Sequence, residues 1–144
     1  MTPATALTAV VARLPAAGLS PIRSPLGAHN ASSQRIEGGF AVKPNSVRPA
    51  AQRGRGRADV AGLRVDTVFT IELTHQIKPG LGPEAPSQAL QDLHAAWVAI
   101  SAPATTLTTE GAIAIGAASN SYEGGGAFYL TRFELVVTFN LDLS

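Results

Sequence analysis

The chain has 144 residues, 45% hydrophobic and only 15% charged, with 14 Gly, 10 Pro and no Cys. That length suits one domain, residues 1–144, with a single core. Disulfide frameworks, thiolate metal sites and cysteine catalysis are excluded, and a coiled coil does not tolerate this much Gly and Pro. Net charge is +1, yet residues 1–64 carry nine basic side chains against two acidic, and the remainder carries two against eight. Such polarity cancels within one fold or favours head-to-tail association of copies.

Thr2 is a good N-cap and Pro3 suits a first helical position. Leu7, Val10, Val11 and Leu14 then recur on one helical face, and Gly18 closes the helix. Residues 19–62 read as a long loop region broken by one short strand at Phe40 and Val42, which Pro44 ends or pushes to a sheet edge. Within it the run Arg53-Gly54-Arg55-Gly56-Arg57 predicts a flexible basic loop or hairpin tip.

Next comes a clear strand, with Val65, Thr67, Phe69, Ile71, Leu73, His75 and Ile77 on one face. Asp66, Thr70, Glu72, Thr74 and Gln76 occupy the other, which alternation predicts to stay wet. Lys78-Pro79-Gly80 stops the strand. Ser87 then caps a helix whose predicted buried stripe is Leu90, Leu93, Trp97 and Ile100, ending by Pro103.

Ile113 and Ile115 predict another short strand, and residues 120–126 have turn chemistry. Finally Tyr129, Phe133, Leu135, Val137, Phe139, Leu141 and Leu143 alternate with polar residues almost to the chain end. A strand of that length spans on the order of 50 Å, so part of it is expected to bend, project or pair with another chain. Phe139, Leu141 and Leu143 are therefore candidate subunit-interface residues. The elements together predict an α+β fold, a mainly antiparallel sheet with two helices packed on one face and long loops or a hairpin extension.

Chemistry is sparse. His29, His75 and His94 have no second ligand at i+2 to i+4, so no metal site is expected. The run Glu123-Gly124-Gly125-Gly126 has no following Lys or helix start to receive a phosphate. Carboxylates are scattered, and no Ser sits in a nucleophile elbow. Neither a catalytic residue nor a cofactor is expected, and the reading is that of a non-enzyme. Arg53, Arg55 and Arg57 are the distinctive polar feature, candidates for contact with DNA or a neighbouring subunit. Two further readings are a small nucleic-acid-binding module using this loop, and an enzyme pairing His75 or His94 with a nearby carboxylate. Charged residues interrupt every long apolar run, so no membrane span is expected.

The layout resembles the tail terminator, or tail-completion, proteins of long-tailed bacteriophages. It does so in the helix over residues 2–17, the strand Arg64-Val65-Asp66-Thr67-Val68-Phe69-Thr70-Ile71-Glu72-Leu73, the helix over 87–100 and the ending Tyr129-Leu130-Thr131-Arg132-Phe133-Glu134-Leu135-Val136-Val137-Thr138-Phe139. That resemblance implies a virion structural protein of the tail or neck, assembled in the host cytoplasm. It implies a homo-oligomer, a hexameric ring that caps the tail tube and joins it to the head. Its partners would be the tail tube protein and head-connector proteins, with genomic DNA passing transiently through the lumen. A head-completion or connector protein of the same particle is the alternative.

Overall fold

The computed structural model describes residues 1–21, 38–49, 63–76, 84–123 and 128–141. The arginine triplet 53, 55 and 57, the strand stop at 78–80, the glycines 124–126 and Leu143 lie outside the described residues. Helix α1 (Pro3–Arg13) begins with a reciprocal cap: Thr5 N donates to Thr2 Oγ1 at 3.2 Å, and Thr2 N donates to Thr5 Oγ1 at 2.8 Å. A 3₁₀ turn, Leu14–Ala17, follows and ends at Gly18, whose φ of 81° is the left-handed conformation glycine adopts without a Cβ clash.

Six strands form one mixed sheet, mostly antiparallel, in the order β1 (Ser20–Pro21), β2 (Gly39–Pro49), β3 (Arg64–Gln76), β6 (Phe128–Asn140), β4 (Gly111–Ile115), with β5 (Ser119–Glu123) also on β6. The two central strands pair residue for residue, Arg64 with Asn140 through Gln76 with Phe128. On the other edge of β6, β4 covers residues 135–139 and β5 covers 128–132. Gly116 N, donating to Glu134 O at 2.8 Å, bridges the gap between them.

Several expectations are corrected. The β2 strand does not stop at Pro44 but runs to Pro49, with a bulge between Pro44 and Ser46 that leaves Asn45 as the extra residue. Among the described residues its outer edge is paired only at Gly39 and Phe40, where β1 lies parallel to it, so both prolines lie on an edge strand, where proline is tolerated. Residues 120–123, read as a turn, are strand β5. The length of β6 requires no projection, because an equally long β3 matches it within the same chain.

Helix α2 (Glu84–Ile100) starts three residues before Ser87, with Pro86 accommodated in its first turn. Its inner face is Ala89, Leu93, Ala96 and Ile100, and Leu90 is 60% exposed. The alanines let the helix backbone approach the sheet, turning Leu90 outward. Trp97 is partly buried and meets Phe133 edge-on, with ring centroids 6.0 Å apart. The short α3 (Thr106–Glu110) leads into β4 and buries Leu107.

The core lies between the helices and one sheet face. It joins Ala6 and Val10 of α1 and Leu14 of the 3₁₀ turn to Phe40, Val65, Phe69, Ile71, Leu73, Phe133, Leu135, Val137 and Phe139. Phe139 is 1% exposed, paired with Val65 on one side and Gly111 on the other. Leu141 packs against the same core, its N donating to Leu63 O at 2.7 Å. Phe139 therefore packs in the interior of its own chain, with β6 flanked on both edges at this position.

Candidate functional site: the open face of the sheet

Among the described residues, the helices cover one sheet face and no element packs on the other, which carries the even-numbered side chains of β3 and β6. On that open face the register aligns Ala41, Glu72, Arg132 and Ser119 in one row, and Arg48, Asp66, Thr138 and Ala112 in another. Lys43, two residues beyond Ala41, and Arg64, two before Asp66, share the face. Together Lys43, Arg48, Arg64 and Arg132 account for every Lys and Arg among the described residues except Arg13.

Three acidic side chains of this face, Asp66, Glu72 and Glu134, are engaged. Glu72, 3% exposed, receives Lys43 Nζ at 2.7 Å and Arg132 Nε at 3.8 Å, both on Oε1. The two cations remain 41% and 37% exposed. Glu72 Oε2 is buried without a partner, as is Thr74 Oγ1 two residues along the strand. Asp66 accepts from Thr138 Oγ1 at 2.6 Å and lies 3.8 Å from Arg48 Nε. The bulge places Asn45 beside Glu134, Nδ2 donating to Oε1 at 3.4 Å. The face is thus drier than alternation predicts: Ala41, Val68, Glu72, Thr74 and Leu130 are all buried. Its exposed cation donors are spread over three adjacent strands and interleaved with the carboxylates of Asp66 and Glu134.

The helical layer contrasts with it. Leu90 and Val98 are exposed at 60% and 58%, one on either side of exposed His94 along α2. Arg13 donates from Nε to Ala99 O at 2.9 Å, serving the last turn of α2. It also lines a half-open cavity of about 330 Å³ with Ala9, Ala12, Thr105, Thr106 and Leu107. The sheet face carries Lys43, Arg48, Arg64 and Arg132 beside Asp66, Glu72 and Glu134, and the helical layer carries Arg13 beside Asp92 and Glu110.

Of the two histidines weighed for acid–base work, His75 meets a carboxylate, its Nε2 lying 2.5 Å from Asp92 Oδ2, while Gln88 Nε2 donates to Asp92 Oδ1 at 3.0 Å. This pair ties α2 to β3. His75 is buried, and its Nδ1 has no partner. His94 is exposed on α2. Among the described residues no group of three His, Cys, Asp or Glu is placed to hold a metal ion, and no helix is long and apolar enough to cross a membrane.

Sequence alternation places Glu72 and Arg132 on polar strand faces but gives no sign that they meet, since only the β3–β6 register sets them opposite. Lys43 and Arg48 are hidden by the prolines that interrupt β2 in sequence. Compared with protein-family models and with curated proteins, the chain matches none.

Proposed function

We propose that the protein is a structural subunit of a long-tailed phage particle, a tail terminator that forms a ring capping the tail tube and joining it to the head. In this reading the open sheet face is turned toward the DNA that passes through the lumen. The helical layer and the sheet edges meet protein neighbours, and the chain carries out no catalytic step.

The observation that supports it most is the array of cation donors spread over three strands of one sheet face. That face holds four of the five described cations beside three carboxylates, Asp66, Glu72 and Glu134, and half-exposed cations of this kind suit a sliding polyanion because phosphate contacts position a backbone without reading sequence. Exposed Leu90 and Val98 on the helical layer suit contact with protein. The order of elements, helix, long strand, helix, long terminal strand, also agrees with the resemblance described above. A free nucleic-acid-binding module is the second reading that the same cationic face favours, and oligomeric state separates the two.

Light scattering on the purified protein across a wide concentration range, with grids of the same sample imaged, is the test. The ring reading expects a closed oligomer near six chains. A strict monomer at every concentration, with no rings on the grid, contradicts it.

A further inference from the structure

Glu72 is the anomaly of the open face. Its carboxylate is buried in the middle of the sheet with Oε2 lacking any donor, an arrangement that stability alone does not favour. Both ion-pair partners converge on the other oxygen, Lys43 from β2 and Arg132 from β6, the strands flanking β3 on either side. With neighbouring strands about 4.8 Å apart, the two backbones stand roughly 10 Å from each other, and the side chains lean inward over Glu72. Each cation keeps donors to spare, since an ammonium carries three N–H groups and a guanidinium five.

We propose that Glu72 is a positioning residue that holds Lys43 and Arg132 as a two-pronged receptor for a phosphate of a nucleic-acid backbone. Unanchored, these are the two most rotamer-rich side-chain types, and ordering them on binding weakens affinity. Glu72 orders them in advance. Arg48, 3.8 Å from Asp66 and 62% exposed, and exposed Arg64 add cation donors along the same face, which suits a ligand with repeated anionic groups better than a single carboxylate of a peptide. The inference rests on reading the open face as the surface that meets DNA, and it adds which side chains grip the backbone and what holds them.

The test turns on a sign. Glu72→Gln deletes a negative charge beneath the bound phosphate, so a purely electrostatic face binds DNA more tightly after the change. Positioning requires the opposite. Fluorescence anisotropy of a labelled DNA duplex, titrated with the full chain at several salt concentrations, is expected to show binding weakened by about two- to tenfold for each side chain set free. The slope of log affinity against log salt is expected to fall by about 0.9 for each phosphate no longer neutralised. Glu72→Asp keeps the charge but shortens the reach, and is expected to weaken binding as well. Circular dichroism and melting of each variant report whether it folds. Unchanged or tighter binding by a folded Glu72→Gln or Glu72→Asp chain overturns the positioning role while leaving the DNA-facing surface intact. Absence of any binding by the unaltered protein at low salt removes the DNA-facing reading itself, and the receptor with it.

Discussion

Truncation after Val137 is expected to abolish cooperative folding, and Phe139→Ala alone to destabilise the chain by about 3–5 kcal/mol. Phe139 is 1% exposed and packs in the one core that both long helices share with the sheet. Its strand position is fixed from both sides, by Val65 and by Gly111. Cutting after Val137 also removes Thr138, whose hydroxyl donates to Asp66, and Leu141, whose N donates to Leu63 O. A domain of this size has a total stability of about 5–15 kcal/mol, so removing all of these together exceeds what it can absorb. Urea unfolding followed by circular dichroism measures both changes. A truncated chain that stays folded as a monomer and merely fails to assemble would return Phe139 to a subunit boundary.

The second large effect concerns the ion cluster. Replacing Lys43 and Arg132 together by Met leaves Glu72 buried without its two cations. The double variant is expected to lose about 2–4 kcal/mol, below the value for a fully buried pair because both cations are partly solvated. Adding Glu72→Met is expected to restore much of that stability, since a buried charge network replaced by apolar groups of similar volume is often neutral or stabilising. Urea midpoints of the unaltered, double and triple variants distinguish the outcomes. A triple variant no more stable than the double would mean that the carboxylate contributes favourably without its cations, contrary to its environment here.

Local signals in the sequence announced much of the fold. Thr2, Pro3 and Gly18 bound the first helix because capping and left-handed termination depend on neighbours in the chain. The alternation from Val65 to His75, and again from Tyr129 to Phe139, announced both central strands and their buried faces. What failed depended on distant partners. Pro44 ends a central strand but not an edge strand, and only the sheet order makes β2 an edge over most of its length. Leu90 yields its place on the buried stripe to Ala89, because the depth at which α2 seats on the sheet follows from both surfaces. The apparent excess length of the last strand vanishes because β3 matches it. The candidate site was legible as a polar face and illegible as a cluster: Glu72 and Arg132 are sixty positions apart in sequence, and Lys43 reaches them only through the pairing of β2 with β3. The meeting of His75 with Asp92 needs the helix docked on the sheet.

That the open sheet face is the one that meets DNA is tested most directly by site-specific crosslinking. The natural chain has no cysteine, so a single introduced thiol is unique. Ser46→Cys places it on the open face of β2, and Gln91→Cys on the outer surface of α2, both at exposed positions. With a photoreactive group on each thiol and duplex DNA added at low salt, a DNA-facing sheet predicts crosslinks from position 46 and none from position 91. Crosslinking from 91, or from neither position, contradicts it.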